Sequence, residues 1–415
     1  MHVIVVGAGI IGVCSAYYLR QRGFEVTVIE RRSGVAQEAS FGNAGIIAPG
    51  YVTPWASPGM PRKVLSYMFS SESPVLFRPN ANPAMWRWLA RWLRECRLQR
   101  YRVNKSRMQR VAFYSRAQLH ELRNRLGIQY EQAQGYLQLL RSARDVELLA
   151  PARAMLDESG VAYRMLEAAE VHDMEPGLST TTPLAGGLLL PDDESGNCTI
   201  FAQAVRRAAE DDGVRFRFNV DVQRILRDGD RITGVLAGAR TIPADAVLIA
   251  AATGSPALLA PLGIRIPMYP IKGYSATVAL SDGAIGPQRA LMDEAYKTAI
   301  TPFANRIRIA GTAEIGDRGL VLREAALRTL IKVATDWFPG AGRFSGAKFW
   351  VGARPMLPDG APLLGPSPLK GLFLNVGHGS TGWAMACGSA RVLADVISGT
   401  TPEIDLDGLT LDRYR

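Results

Sequence analysis

The chain begins with alternating strand and helix patterns. Residues 2–6 form a run that is almost entirely β-branched, which predicts a strand buried on both faces of a parallel sheet. A glycine-rich turn follows, then a helical stretch to Leu19 and a second apolar run, 26–29, that ends at Glu30. This order of strand, turn, helix and strand predicts a βαβ unit at the start of the chain.

The rest of the chain predicts short strands mixed with helices. Residues 51–83 are rich in Pro and Ser, which indicates loops and short helices, and a loop is predicted at 192–197. Further helices are predicted at about 83–126, 199–212, 324–337 and 382–398. Further strands are predicted at about 214–218, 234–236, 246–251, 274–279, 297–301, 306–309 and 371–376.

The turn between the first strand and helix reads Gly7-Ala8-Gly9-Ile10-Ile11-Gly12. This spacing suits a dinucleotide: the first glycine permits a tight turn, the second a close backbone approach to pyrophosphate, and the third close helix–strand packing. The helix start offers N–H groups to the phosphates. Glu30 is placed to accept from ribose hydroxyls. We therefore expect a bound dinucleotide.

A second glycine-rich turn at 377–382 precedes the last helix and favours FAD over NAD. The start of that helix could face a flavin carbonyl that gains negative charge on reduction. The matching elements lie at opposite ends of the chain, which indicates one domain inserted into another. A nicotinamide-dependent dehydrogenase and a non-catalytic flavin-binding protein remain as alternatives.

The expected fold is α/β: a Rossmann-like FAD-binding domain of glutathione-reductase type, interrupted by a mixed antiparallel-sheet substrate domain. At 415 residues the chain exceeds one ordinary core. We assign 1–50, 191–262 and 345–415 to the FAD-binding domain. Residues 51–190 and 263–344 form the substrate domain, which includes a basic amphipathic helical segment at 60–110.

Composition excludes several classes of protein. Hydrophobic residues make up 47% and charged residues 21%, as in a soluble globular enzyme, and no apolar run is long enough to span a bilayer. The apolar start lacks the basic flank and cleavage site of a signal peptide. The cysteines are scattered, so we expect a reducing compartment, no disulfide framework and no metal site. They are Cys14, Cys96, Cys198 and Cys387.

The net charge of +10 is concentrated in segment 60–110, where twelve basic residues face only Glu72 and Glu95. On a helical wheel of 85–97, one face carries Met85, Trp88, Leu89, Trp92, Leu93 and Cys96, and the other carries Arg87, Arg91, Arg94 and Arg97. This pattern predicts a helix in a membrane interface, with Met68, Phe69 and Phe77 as further anchors. We expect a peripheral protein on the cytoplasmic side of the inner membrane. Packing of the apolar face on the protein itself is the alternative, and nucleic acid is not expected as a partner.

Several motifs resemble the D-amino-acid dehydrogenase small-subunit family, within the D-amino-acid oxidase and glycine oxidase superfamily, essentially from end to end. They lie at 5–12, at 43–45 leading into 49–51, at 270–275, at 352–360 and at 375–379 with 383–388. The resemblance implies non-covalent FAD and oxidation of a D-amino acid to an imine, which water converts to a 2-oxo acid and ammonia. It also implies electron transfer to a membrane quinone or other respiratory acceptor.

Oxidation of an amine by a flavin requires few side chains. The substrate Cα must face flavin N5 for hydride transfer, and its carboxylate must be anchored. Arg354, in the Gly-Ala-Arg-Pro segment, is the expected anchor because a guanidinium binds a carboxylate through two hydrogen bonds. The other candidates around the substrate are Tyr274, Tyr296, His378 and Glu314, although the tyrosines could equally serve packing and His378 the turn.

The expected cofactor-binding residues come from several parts of the chain. They are Gly7, Gly9, Ile10, Ile11 and Gly12; Glu30, Arg31, Arg32 and Ser40; Asn43, Ala44 and Gly45; Val222, Ala252 and Gly254; and Gly377, Gly379, Ser380, Thr381 and Gly382. Ile46 and Thr381 depart from the family pattern close to the flavin. The side-chain preference therefore stays open, with a cyclic imino acid such as D-proline or cis-4-hydroxy-D-proline, or an oxygen-using amine oxidase, as alternatives.

Overall fold

A computed structural model describes residues 1–67, 73–316 and 319–414. Its helices are α1 Ile10–Gln21, α2 Met60–Tyr67, α3 Pro83–Glu95, α4 Leu98–Leu126, α5 Ala143–Leu148, α6 Ala150–Glu158, α7 Ala168–Met174, α8 Cys198–Asp211, α9 Ser255–Leu259, α10 Glu324–Trp337 and α11 Gly382–Ser398. The long helices predicted at 83–126, 199–212, 324–337 and 382–398 are confirmed, the first as two helices, α3 and α4.

The strands fall into three sheets. They are β1 His2–Val6, β2 Glu25–Ile29, β3 Ile46–Ile47, β4 Val75–Phe77, β5 Ala133–Leu140, β6 Arg164–Leu166, β7 Gly186–Ser195, β8 Arg215–Arg217, β9 Val222–Asp228, β10 Arg231–Ala237, β11 Arg240–Pro243, β12 Ala246–Ile249, β13 Tyr269–Ala279, β14 Ala290–Asp293, β15 Thr298–Phe303, β16 Arg306–Ile315, β17 Lys348–Met356, β18 Leu363–Pro366 and β19 Leu372–Val376.

The first sheet joins the two ends of the chain. Its six strands run in the order β18-β19-β12-β1-β2-β8, parallel except for β18. Strands β1 and β12 are almost fully buried, which explains why their sequences are continuously apolar. Helices α1 and α11 pack against each other, so the glycine-rich turns that precede them belong to the same domain.

The second sheet is larger and mostly antiparallel. Ten strands take part, with the path β17-β13-β16-β15-β14-β5-β7-β3 and with β4 and β6 paired at the side. Helix α10 covers one face, where its buried side chains join the core of β13 and β16. A third sheet of β9, β10 and β11 is antiparallel.

The structure changes three of the predicted boundaries. Strand β17 pairs with β13 along its length, so 348–356 lies in the large sheet although it was assigned to the FAD-binding domain. Residues 192–195 were predicted as a loop but continue β7. Helix α4 was assigned to the substrate domain, yet Met108, Val111 and Leu119 pack in the core that α1 and α11 share. Sequence patterns show that an element is amphipathic, but not which partner covers it.

Helix α3 turns Trp88 and Trp92 toward the protein. Trp88 and Trp92 are buried and pack with Tyr269 and Met356, and Trp88 Nε1 donates to the Met356 carbonyl at 3.0 Å. Most of the apolar face predicted to enter a membrane is therefore covered by the large sheet, whereas Leu93 of that face is 51% exposed. Met68 and Phe69 lie outside the described residues. In the described part of the chain, every helix is too short or too polar to span a bilayer.

Candidate functional site

The first glycine-rich turn has the geometry that a dinucleotide requires. Gly7 has φ +103°, a region that favours glycine, and a Cβ there would lie 2.7 Å from the Ala250 carbonyl oxygen. A Cβ on Gly12 would overlap the carbonyl oxygen of Gly7. Gly9 is the N-cap of α1 and, as a glycine, has no side chain that could cap the helix. The first amides of α1, including those of Ile10 and Ile11, thus begin a helix whose positive end faces the turn.

Glu30 lies beside this turn, as the sequence predicted. Its Oε2 accepts from the Ala8 amide at 2.7 Å, and its Oε1 accepts from the Arg32 amide at 2.8 Å. Arg31 and Arg32 both pair with Glu38. The carboxylate therefore stands at the carboxyl end of β2, next to the amides of the turn.

Two further segments approach the same edge of the parallel sheet. The Val220 amide donates to the Glu30 carbonyl at 3.0 Å, which brings Val222, the first residue of β9, close to that edge. Ala252 and Gly254 form a short 3₁₀ turn after β12, and Ala252 has φ +45°. These residues converge with the first turn, because carboxyl ends of neighbouring parallel strands share one edge.

The loop that carries Asn43, Ala44 and Gly45 is held from below by Arg308. Its Nη1 donates to the carbonyls of Phe41 and Asn43, at 3.0 and 3.1 Å, and burial lowers the pKa of Arg308 to about 10. Asn43 Oδ1 accepts from the Gly45 amide at 2.6 Å. Earlier in this loop, Ser40 Oγ accepts from the Ile10 amide at 3.1 Å, which ties the loop to the start of α1.

The second glycine-rich turn packs directly on the end of β17. Gly377 and Gly379 have φ of +83° and +57°, and a Cβ on Gly379 would lie 2.8 Å from Met356 Sδ. The N-cap of α11 is Thr381, again without a described side-chain cap, so the amides around Gly382 are directed at the open end of the turn. Ser380 is exposed and accepts a hydrogen bond from Trp55 Nε1 at 3.1 Å.

Arg354 is a partly buried cation that has no carboxylate or hydrogen-bond partner within the described ranges. Burial lowers its pKa to about 10, so the guanidinium stays charged at neutral pH. Its Cζ lies 5.6 Å from the ring centre of Trp55. A buried, unpaired guanidinium is costly unless an anion pairs with it, which makes Arg354 a candidate anion site.

Two facing glycines provide the surface beneath this charge. Gly273 of β13 pairs with Gly352 of β17, and a Cβ on Gly273 would lie 2.5 Å from Arg354 Cζ. A Cβ on Gly352 would overlap the indole of Trp350, and so would a Cβ on Gly42 in the loop above. The glycine pair therefore lets a guanidinium and an indole lie flat on the sheet, beside the loop of Asn43.

Tyr274 and Glu314 require a correction, because they face away from Arg354. Arg354 lies across Gly273, and side chains alternate along a strand, so Lys272 and Tyr274 project from the opposite face of the sheet. There Tyr274 donates to Glu314, and Lys272 Nζ lies 2.7 Å from Glu314 Oε1, all buried. Burial, followed by the bond to Glu314, raises the pKa of Tyr274. This is a buried polar network on the face of the sheet opposite Arg354.

Tyr296 is also separated from the predicted site. Its ring lies 4.9 Å from Arg141 Cζ and 5.1 Å from Lys332 Nζ, and Lys332 belongs to α10. Arg141 in turn pairs with the buried Asp293 and with Asp336. Tyr296 thus packs on the helix-covered side of the large sheet.

His378 is turned into the fold. The residue is 3% exposed, and its Nε2 lies 3.1 Å from Ser389 Oγ in α11. Burial lowers the pKa of His378 to about 3. Its imidazole is therefore neutral at neutral pH and contacts α11, as expected of a histidine that supports the turn.

The sequence analysis missed the aromatic side chains around Arg354. Trp55 comes from the Pro- and Ser-rich stretch, and Trp350 stands two residues before the Gly-Ala-Arg-Pro segment. Arg308 was also missed as the support of the Asn43 loop. The signal that could have found Trp350 is its spacing: residues 350, 352 and 354 share one face of a strand.

The residues present fit FAD. Two helix starts, one from each end of the chain, open toward the carboxyl edge of the parallel sheet. Their N-cap residues, Gly9 and Thr381, make no side-chain cap, and Ser40 Oγ accepts from the Ile10 amide of α1. A Cβ on Gly7 or Gly12 would meet the protein's own backbone, so these glycines bring the start of α1 close against the parallel sheet, and Gly9 leaves the N-cap of α1 without a side chain. Amides at helix starts suit a pyrophosphate, and they also suit a ring carbonyl that becomes negative.

Comparisons with known proteins agree with this geometry. A family described as FAD dependent oxidoreductase (DAO) matches residues 2–396. The chain is 47% identical to a D-amino acid dehydrogenase of Bradyrhizobium diazoefficiens, covering 100% of this chain and 99% of that protein. It is 47% identical to a D-amino acid dehydrogenase of Rhizorhabdus wittichii, with 100% of both covered. Glycine oxidase from Geobacillus kaustophilus shares the fold, with a TM-score of 0.76 at 24% identity over 100% of this chain and 98% of that one.

Proposed function

The chain belongs to the FAD dependent oxidoreductase (DAO) family, with FAD as its cofactor, and on this premise we propose that it dehydrogenates D-amino acids. The product is an imino acid, which water converts to a 2-oxo acid and ammonia. The observation that carries the proposal is Arg354, an unpaired, partly buried cation. It lies beside the second glycine-rich turn, 377–382, which we call the flavin-side turn. Full-length similarity to proteins named D-amino acid dehydrogenase supports the choice of substrate.

The protein's own part in the reaction is mainly orientation. FAD, when bound, supplies the acceptor for the hydride that leaves the substrate Cα. The Arg354 guanidinium binds the substrate carboxylate through two parallel hydrogen bonds and so fixes the position of Cα. The amine loses a proton and its lone pair forms the C=N bond. We assign none of the other candidates as a base: burial lowers the pKa of His378 to about 3, which makes it a weak proton acceptor, and Tyr274 and Glu314 lie on the opposite face of the sheet from Arg354.

Anaerobic bleaching of the flavin tests the substrate class. We would mix the FAD-loaded protein with D-alanine, D-phenylalanine, D-proline, glycine and the matching L-amino acids, and follow absorbance near ~450 nm, a property of the flavin itself. Fast bleaching by D-amino acids alone is the expected result. Bleaching by D-proline alone would assign a cyclic imino acid instead, and bleaching by L-amino acids would overturn the proposal.

We further propose that the electrons pass to a membrane quinone and that the protein docks peripherally on the cytoplasmic face of the inner membrane. What supports docking is the outer face of α3, where Arg87, Arg91 and Arg94 are exposed and have no carboxylate partner in the described segments. Trp86 and Leu93, 48% and 51% exposed, stand among them. Exposed arginines beside exposed apolar side chains suit an anionic membrane surface.

Part of segment 60–110 cannot contribute to such a surface. Lys105 is buried, and Arg107 and Arg110 pair with Asp407 and Asp405 of the protein itself.

A second apolar group lies on the connection from β16 to α10, where Leu320, Val321 and Leu322 are about half exposed. That connection leaves the sheet near Asn80, whose side chain donates to the Gly316 carbonyl and whose own carbonyl accepts from Trp86 Nε1.

Vesicle co-sedimentation tests the docking surface. The Arg87→Gln/Arg91→Gln variant should bind vesicles that contain phosphatidylglycerol roughly 30-fold more weakly, since each basic residue contributes about 1 kcal/mol. Arg224→Gln/Arg227→Gln, on exposed positions of β9, is the matched control and should bind as the parent does. Equal loss in both variants would exclude this face.

The electron acceptor is tested by reoxidation of the reduced flavin. We expect a soluble quinone to reoxidise it faster than oxygen does, and the reverse order would contradict a quinone acceptor.

A further inference from the structure

Trp55 links two parts of the site that belong to different sheets. Its indole lies 5.6 Å from Arg354 Cζ, measured to the ring centre, and its Nε1 donates to Ser380 Oγ at 3.1 Å. Arg354 is carried by β17 of the large sheet, whereas Ser380 lies in the glycine-rich turn after β19 of the parallel sheet. One side chain thus contacts both the proposed carboxylate anchor and the flavin-side turn.

The segment around Trp55 is held firmly on both sides. Thr53 Oγ1 lies 2.7 Å from the hydroxyl of Tyr101 in α4. A Cβ on Gly360 would lie 3.0 Å from Pro54 Cβ, which shows how closely Pro54 packs on the turn after β17. Ala56, the next residue after Trp55, is buried with Trp88 and Met356. With neighbours fixed in this way, the indole has a defined place over the guanidinium.

The guanidinium has few other groups to orient it. Gly273 has no side chain and offers only its backbone, and the described carboxylates nearest in the strand pairing, such as Glu314, lie on the opposite face of the sheet. A cation near an aromatic ring is attracted by the ring's negative face. The hydrogen bond to Ser380 fixes the rotation of that ring, so the direction of the guanidinium depends on the flavin-side turn.

We propose that Trp55 is a positioning residue, which orients Arg354 toward the substrate carboxylate and couples that orientation to the Ser380 turn. This inference rests on the proposed function, in which Arg354 is the anchor. It assigns to the indole a role in carboxylate binding that is separate from the chemistry of hydride removal. Loss of the ring should therefore weaken the binding of any carboxylate, reactive or not.

The test uses the FAD-loaded protein and propionate as an unreactive carboxylate, with binding followed by the change in the flavin spectrum. Trp55→Leu should raise the Kd of propionate about three- to tenfold, and the KM of the D-amino acid by a similar factor. Trp55→Phe keeps an aromatic face and should recover most of that loss. Tyr101→Phe, which removes a hydrogen bond from the same segment two residues away, is the matched control and should bind propionate as the parent does.

A double-mutant cycle separates the coupling from a loss of folding. Ser380→Ala should weaken propionate binding in the parent but add nothing to Trp55→Phe, because the hydrogen bond is already absent there. If Trp55→Leu does not fold, this cycle carries the test alone. Additive effects of the two changes, or a parental Kd in Trp55→Leu, would overturn the inference.

Arg354→Gln distinguishes this failure from failure of the proposed function. If Arg354→Gln greatly weakens propionate binding while the Trp55 variants bind normally, the anchor stands and the role of Trp55 is wrong. If Arg354→Gln also binds propionate normally, the anchor itself is wrong. Flavin content and thermal midpoint, measured for each variant, confirm that the comparison is made between folded proteins.

Discussion

Gly273 illustrates how much of the site depends on a missing side chain. The guanidinium of Arg354 lies where the Cβ of any other residue at 273 would stand. The residue opposite, Gly352, admits the indole of Trp350 in the same way. A charged group and an aromatic ring can therefore lie flat on a sheet that would otherwise present a layer of side chains.

Gly273→Ala should displace Arg354 and weaken substrate binding. The added methyl group would lie 2.5 Å from Cζ, so the guanidinium must move, and a shift of about 1 Å in an anchor can cost on the order of 100-fold in rate. We expect kcat/KM for the D-amino acid to fall at least tenfold. Gly340→Ala is the control, because a Cβ there meets nothing within 4 Å; equal activity of the two variants would contradict the proposed position of the anchor.

His378 should make stability depend on pH. Its pKa in the folded protein is lowered to about 3 from 6.5, so below pH 6.5 the unfolded chain binds a proton that the folded chain does not. The buried, neutral His378 therefore contributes to the free energy of unfolding above pH 6.5, and this contribution is lost as the pH falls toward 3. Between pH 7 and pH 5, the free energy of unfolding of His378→Asn, measured by urea unfolding, should fall by about 2 kcal/mol less than that of the parent. Parallel losses in both proteins would show that the histidine is not buried in its neutral form.

At the scale of elements, helix α3 has two apolar surfaces with different partners. Trp88 is 3% exposed and buttresses the end of β17, through its bond to the Met356 carbonyl. Trp86 is 48% exposed and contacts Phe77 edge-on. The helical wheel groups Met85, Trp88 and Trp92 correctly as one packed face, but Leu93, which it placed on that face, is 51% exposed.

Trp88→Ala and Trp86→Ala should therefore affect different properties, stability in the first case and vesicle binding in the second. Removing the buried indole should cost about 3–5 kcal/mol of stability, seen as a lower thermal midpoint. Trp86→Ala should change the midpoint much less, yet should weaken binding to anionic vesicles. Stronger destabilisation by Trp86→Ala than by Trp88→Ala would reverse the assigned faces.

At the scale of the whole molecule, the parallel sheet joins the two ends of the chain. Strands β1 and β19 lie in one sheet with β12 between them, and the helices that follow β1 and β19 pack on each other. A ligand held by both helix starts binds the folded chain alone, so it stabilises the fold by mass action.

FAD should raise the thermal midpoint of the parent protein in a concentration-dependent way. At 100 times its Kd the expected stabilisation is about 2.7 kcal/mol. Gly12→Ala should abolish this response, because the methyl group would overlap the Gly7 carbonyl and push α1 from the strand. A parent midpoint that does not respond to FAD, or an unchanged response in Gly12→Ala, would contradict a cofactor site at this turn.

The sequence by itself determined the local features: the βαβ unit, the glycines of both turns, the acid at Glu30 and the existence of the long helices. These are decided within a few residues, because turn geometry and helix starts depend on neighbours along the chain. The family resemblance, the fold class and FAD as cofactor are confirmed on the same motifs.

Only the tertiary structure decided which side of each element faces the site. Tyr274 and Arg354 lie on strands that pair with each other, but Arg354 pairs with Ile271, three residues before Tyr274, and this odd offset places the two side chains on opposite faces. The pattern of α3 is equally compatible with lipid and with protein, and the large sheet covers Trp88 and Trp92. Alternation and amphipathicity specify that a face is apolar, while its partner is set by distant parts of the chain that no local pattern encodes.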